Sequence, residues 1–176
     1  MRNAYWFIAA LLLMPLPVAA QNTPAVEVFG GYSHLMGNLG NSTVNLNGFD
    51  GSVTENLNRW FGGTLDISSQ FGTEAGYKVN SQTITYGPMI AYRKNPKIVP
   101  FAHGLLGAVR GSPEYLGISK SEYRFAMLGG GGVDVRLSSR VSLRLVQFDY
   151  LFSHFSMMRQ DNIRISAGFV FRFGQK

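Results

Sequence analysis

From Ile163 to Gly174 the chain changes character at every residue. Ile163, Ile165, Ala167, Phe169, Phe171 and Phe173 fall on one phase; Arg164, Ser166, Gly168, Val170, Arg172 and Gly174 fall on the other. A period of two sends such sets to opposite faces of a β-strand, whereas a helix would mix them. The pattern recurs upstream. Ile84, Tyr86, Pro88, Ile90 and Tyr92 oppose Thr83, Thr85, Gly87, Met89, Ala91 and Arg93. Phe61, Leu65, Ile67 and Phe71 oppose Thr64, Asp66, Ser68 and Gln70, and Tyr123, Phe125, Met127, Val133 and Val135 oppose Glu122, Arg124, Asp134 and Arg136. Eight segments closed by Gly, Asn, Pro or Ser emerge, over approximately 26–35, 48–57, 60–70, 82–93, 98–110, 122–137, 141–153 and 162–174.

Two segments depart from clean alternation. In the seventh, Leu143 and Leu145 flank Arg144, and then Val146, Phe148, Tyr150 and Phe152 take over the apolar phase. One extra residue near Leu145–Val146, a β-bulge, restores a single apolar face. The fifth segment, IVPFAHGLLGAVR, is apolar on both phases, so its faces stay open. Connections alternate in length. Leu57–Arg59, Lys94–Lys97 and Ser138–Arg140 are tight; Met36–Asn47, Phe71–Ser81, Gly111–Ser121 and His154–Asp161 are longer. Short periplasmic turns, longer outer loops and both termini on one side are the pattern of an eight-stranded antiparallel up-and-down transmembrane β-barrel.

Alternation alone does not distinguish this from a soluble barrel with the apolar face inside. Composition does. Only 15% of the 176 residues are charged and 13% are aromatic. After residue 20 no apolar run reaches the roughly 18 residues of a spanning helix, so a membrane is crossed by strands if at all. Phe and Tyr gather near strand ends on the apolar phase, as an interfacial girdle requires. The expected lipid-facing set is Ile84, Tyr86, Ile90, Tyr92, Phe125, Phe148, Tyr150, Ile163, Ile165, Phe169, Phe171 and Phe173. Gly130, Gly132, Ser166 and Gly168 suit a narrow interior.

Charge placement points the same way. Six acids (Glu27, Asp50, Asp66, Glu122, Asp134, Asp149) and six arginines (Arg93, Arg124, Arg136, Arg144, Arg164, Arg172) fall on the interior phase. Ions in a narrow lumen are tolerated when paired and hydrogen-bonded. The planar fork of Arg suits that task better than Lys, and the lysines Lys78, Lys94, Lys97, Lys120 and Lys176 all lie in loops, turns or the tail. The formal charge of +6 therefore forms no basic patch and does not point to nucleic acid. Glu55 falls on the apolar phase beside a turn and is expected at the interface.

Residues 1–20 have the form of a cleaved signal peptide: Arg2, the apolar stretch Ala4–Met14, the helix-breaking Pro15 and Pro17, and the small-residue end Val18-Ala19-Ala20. The apolar stretch is short for a membrane anchor. The expected barrel domain covers 21–176, exported to the outer membrane of a diderm bacterium.

Five stretches carry a family resemblance: Val26-Glu-Val-Phe-Gly-Gly-Tyr-Ser33, Leu57-Asn-Arg-Trp-Phe-Gly62, Gly130-Gly-Gly-Val-Asp-Val-Arg136, Val146-Gln-Phe-Asp-Tyr150 and Ser166-Ala-Gly-Phe-Val-Phe-Arg-Phe-Gly174. With these the chain resembles the small OmpA-like outer-membrane barrels that stand alone. The resemblance covers the whole mature chain. It implies that Phe171 and Phe173 act as the closing-strand signal read by the barrel-assembly machinery, although Gly174-Gln175-Lys176 departs from a terminal Phe.

Candidates for chemistry are few. The chain has no cysteine, which excludes disulfides and thiolate sites. His34, His103 and His154 lack metal-ligand spacing, so no metal or cofactor is expected. His103 is expected as a satisfied interior histidine. His154-Phe155-Ser156 looks like the His-x-Ser element of outer-membrane lipid A deacylases, but no Glu follows residue 122 to orient the histidine. Gly129–Gly132 lack the Lys-Ser/Thr of a phosphate loop. The reading is therefore a non-enzymatic barrel, monomeric, bathed in outer-membrane lipids and lipopolysaccharide, with an extracellular ligand at its loops. A narrow porin-like channel is the alternative and a lipid A-modifying enzyme the remote one. Eight strands leave an interior that side chains fill.

Overall fold

The computed structural model describes residues 23–39, 42–74, 77–115, 118–119, 122–155 and 158–175. The expected signal peptide lies outside them. The strands are β1 (Val26–Leu39), β2 (Ser42–Asn56), β3 (Phe61–Glu74), β4 (Tyr77–Ala91), β5 (Ile98–Tyr115), β6 (Ile118–Ser119), β7 (Glu122–Arg136), β8 (Val141–Phe155) and β9 (Met158–Phe173). Eight are long. The two-residue β6 only extends the hairpin that leaves β5. Each long strand pairs antiparallel with its neighbours in sequence, and β9 returns to β1, which closes the sheet into an eight-stranded barrel.

The strands are longer than the alternation marks. They run on into the segments expected as outer loops, pairing as far as Leu39 with Ser42, Glu74 with Tyr77 and Phe155 with Met158. Those connections are long when measured from the apolar belt, but the structure corrects their form: they are extended β-hairpins. The cause is local. Pairing with the adjacent strand satisfies backbone groups whether or not a side-chain face is buried, so the ladder outlasts the pattern.

The opposite end is held by three copies of one device. At 57–60 the Asn58 Oδ1 accepts hydrogen bonds from the Trp60 and Phe61 amides, at 2.8 and 2.9 Å. At 92–97 Asn95 does the same for Lys97 and Ile98, and at 137–140 the Ser138 hydroxyl serves Arg140 and Val141. Such side-chain mimicry of a backbone turn is why Asn and Ser stand there.

The expected bulge is present. Val133 pairs with Val146 but Asp134 pairs with Arg144, and Leu145–Val146 has no counterpart where β8 meets β9. Leu143, Leu145, Phe148 and Tyr150 thereby all face outward while Arg144, Gln147 and Asp149 all face inward. The faces of β5 are also resolved. Val99, Phe101, His103, Leu105 and Val109 are buried inward.

The outer surface is an apolar belt. Of the twelve expected lipid-facing residues, Ile165 is half-buried and the other eleven are exposed, from Tyr150 at 44% to Phe125 at 58%. Glu55 is exposed among them. At the turn end Trp60 packs on Tyr92 with ring centroids 5.4 Å apart, under the cations of Arg59 and Lys94.

Candidate functional site in the barrel interior

The interior is stratified. Its middle is a charge cluster centred on Arg164, 1% exposed. Arg164 Nη1 and Nη2 donate to the two carboxylate oxygens of Asp66 at 2.9 and 3.1 Å. Its Nε and Nη2 donate to Asp149 Oδ2 at 2.9 and 2.7 Å. Asp50 Oδ1 stands 3.5 Å from Nη1. Four strands supply these groups, so the cluster ties opposite walls of the barrel together. The second oxygen of Asp149 meets His103 Nε2 at 2.8 Å, and Gln147 Nε2 donates to Asp149 Oδ2 at 2.7 Å. Gly130 makes room for this contact, because a Cβ there would overlap Asp149 Oδ1.

A second cluster surrounds Arg144. Its Nε and Nη2 grip both oxygens of Asp134 at 2.8 and 3.1 Å, and Nη1 donates to Gln147 Oε1 at 2.6 Å. The guanidinium lies between the rings of Phe29 and Phe101, 4.3 and 4.2 Å from their centroids. Two faces of π-density and a bidentate carboxylate together satisfy a buried cation. A third cluster, nearer the turn end, joins Arg93 to Glu27 at 2.5 Å and to Asn56 Oδ1 at 2.8 Å.

The structure thus brings together eight of the twelve interior charges expected from the sequence, but not as six one-to-one pairs. Arg164 serves three acids. Arg172 donates to the backbone carbonyls of Ser138 and Val141, and Arg136 stands beside it at the turn end. Arg124 is half-buried on the inward phase and has interactions of its own. The Glu122 side chain lies outside the described residues, as do the His154 side chain and Ser156. His34 is not interior; its Nδ1 lies 2.7 Å from Asn47 Oδ1 on the outer surface.

Sequence reasoning missed two layers. On the hairpin side of the carboxylates, Leu35, Val44, Leu46, Leu105, Val109, Ala126, Leu128 and Leu151 pack as one buried apolar cluster across the lumen. Toward the turn end, Met89, Ala91, Val99 and Phe101 form another. The available signal was the doubly apolar pattern of β5: its inward phase is apolar because it passes through both layers.

Among the described residues no group of acids and histidines is arranged to hold a metal ion. No helix among the described residues is long and apolar enough to cross a membrane, which says nothing of a β-barrel.

Comparison with known proteins agrees with this architecture. No curated protein sequence matches. Among solved structures the barrel is similar to Neisserial surface protein A (14% identity, 85% of this chain and 97% of that one, TM-score 0.74). It is also similar to Ail, the attachment invasion locus protein of Yersinia pestis (18%, 85% and 100%, 0.61), and to the outer membrane protein OprG of Pseudomonas aeruginosa (11%, 89% and 99%, 0.56). At such identities the likeness is one of fold. Residues 7–173 match the outer membrane protein beta-barrel domain. A sheet closed on itself, apolar outside and ionic within, and matched along nearly its whole length, belongs to that family, and the chain is an integral protein of the outer membrane.

Proposed function

We propose that the chain is a non-conducting, non-enzymatic barrel whose work is done at the hairpin end, where it meets ligands or surfaces outside the cell. The observation that carries this reading is the stratified lumen. An aliphatic layer lies across the axis on top of a buried ion cluster, so a hydrated ion entering from outside meets hydrocarbon first and occupied carboxylates next. Shedding its water at that layer is costly, because desolvating an unpaired charge is among the most unfavourable events in a protein. With no open path, function falls to the hairpins that rise above the apolar belt. Loops and rims carry function on an otherwise fixed scaffold. Ail, similar in fold, has been solved with the heparin analogue sucrose octasulfate; for the present chain this makes surface glycans a reasonable first class to assay. The barrel is monomeric in this reading, exported by the signal peptide at 1–20, inserted by the barrel-assembly machinery and surrounded on its outer side by lipopolysaccharide.

The experiment has two parts. The purified protein is reconstituted in planar bilayers, and cells displaying it are tested for adhesion to glycan-coated and protein-coated surfaces. The expected result is no steady conductance, with adhesion that is lost when residues 40–41, 75–76 and 156–157 are exchanged for Gly-Ser. A stable ion-selective open state, or adhesion indifferent to the exchange, overturns the proposal. Release of an acyl chain from lipid A would instead mark an enzyme.

A further inference from the structure

The turn end of the barrel carries a cavity that the reading above does not use. It has a volume of about 730 Å3 and is lined by Arg136, Arg140, Arg172, Ser139, Pro24 and Gln175 among others, with no Asp or Glu among the described residues of its wall. We propose that this mouth is an oxyanion site that takes a phosphate group from the periplasmic side, with Arg136 and Arg140 as its principal ligands and Arg172 behind them.

Three observations converge. First, the acids at this end are spoken for. Glu27 is bound to Arg93 and Asn56, and both oxygens of Asp134 are bound to Arg144. Second, the Arg136 guanidinium makes no hydrogen bond or ion pair with a described residue, and its Nε is buried. The Arg172 Nε is buried and unpartnered too, while its Nη2 is held by the carbonyls of the 137–140 turn. Third, these arginines come from the β7 end with the turn that follows it and from the end of β9, so two backbone segments far apart in sequence bring cations to one space. Like charges placed together without an anion repel. An oxyanion removes that repulsion, and a guanidinium fork matches the geometry of phosphate oxygens. A low-dielectric rim concentrates the field of such a mouth toward the aqueous side. Elsewhere in the barrel Arg93, Arg144 and Arg164 each hold an acid directly, whereas Arg136, Arg140 and Arg172 form no ion pair with a described acid.

The phosphate could be that of a phospholipid headgroup or of a soluble phosphate ester. The test separates them. The folded barrel in a non-ionic, phosphate-free detergent is titrated with inorganic phosphate, and the amide resonances of Ser138, Ser139 and Gly174 are followed against chloride at matched ionic strength. The expected result is saturable movement with phosphate and none with chloride. Arg136→Gln and Arg140→Gln are each expected to weaken binding about tenfold, a loss of one charge-assisted contact, with heat-modifiable gel migration unchanged. Arg136→Lys, which keeps the charge and loses the fork, is expected between the two. Arg172 is not replaced because it holds the turn. Short-chain phosphatidylglycerol and glycerol 3-phosphate are then added as competitors: displacement by the first alone assigns the headgroup, and displacement by both assigns a soluble ester. Non-saturating shifts, equal shifts with chloride (an adventitious ion only), or binding unaltered in both Gln variants overturns the proposal.

Discussion

Replacing Arg164 by Gln is the sharpest perturbation the structure offers. The guanidinium is 1% exposed and donates four hydrogen bonds of 2.7 to 3.1 Å to Asp66 and Asp149, with Asp50 at 3.5 Å. Gln can restore one or two of those bonds but not the charge, and three buried carboxylates are left facing one another. Removing one partner of a buried ion pair costs about 3–5 kcal/mol, and two acids lose their direct partner here, so the upper part of that range applies. The natural control is Arg93→Gln. Glu27 retains 13% side-chain exposure and Asn56 as a second partner, so water shares the burden. The loss there is that of a charged hydrogen bond, about 1–3 kcal/mol. The assay is guanidinium unfolding in detergent micelles, followed by Trp fluorescence and by heat-modifiable migration, with the three proteins compared at equal detergent. A midpoint for Arg164→Gln within about 1 kcal/mol of the parent, or a larger loss for Arg93→Gln, would show that the central cluster does not hold the walls together. Conductance gives a second check. Because the aliphatic layer is untouched, Arg164→Gln should remain closed in planar bilayers.

Three further outcomes are expected. Leu105→Ala, in the aliphatic layer at 1% exposure, should lose about 2–5 kcal/mol in the same unfolding assay; no loss would mean that the layer is not packed. Gly48→Ala should depress refolding yield sharply, because its Cβ would overlap the Ser69 carbonyl oxygen, whereas Gly104→Ala, with nothing within 4 Å, should refold like the parent; equal yields refute the steric argument. Deleting Leu145 should preserve the heat-modifiable band, since taking out the extra residue makes β8 a regular strand with Arg144, Gln147 and Asp149 still on its inward phase; loss of the band would mean that the bulge itself is required.

The sequence made the wall of this barrel readable and left its filling obscure, for a physical reason. Where one face meets lipid and the other meets ions, alternation is sharp, as in β9 from Ile163 to Phe173, and even the phase slip at Leu145–Val146 announces its bulge. Where both faces are apolar the signal vanishes. Leu105, Val109, Leu128 and Leu151 sit on the inward phase beside outward apolar neighbours, so nothing local separates a lumen layer from a lipid belt. Above the belt the reverse holds. Residues such as Asn45 and Asn47 belong to a paired strand but have water on the outer side, so their polarity resembles that of a loop. The interior charges were legible as a set, because Arg and acid alternate with apolar residues. Their partners were not, because Arg164 reaches Asp66 across 98 residues of sequence, and which carboxylate a guanidinium meets depends on the tilt and stagger of the closed sheet.

Closure by β1 and β9 carries a consequence for biogenesis. The seam runs from Val26 opposite Phe173 to Met36 opposite Ile163 and so joins the first and last of the described strands. Until the sixteen residues of β9 arrive, β1 and β8 each present a bare row of amides and carbonyls, which hydrocarbon cannot satisfy. A chain stopped short of β9 is therefore not a smaller cylinder but an open ribbon with two adhesive margins. Stable residence in hydrocarbon therefore requires β9.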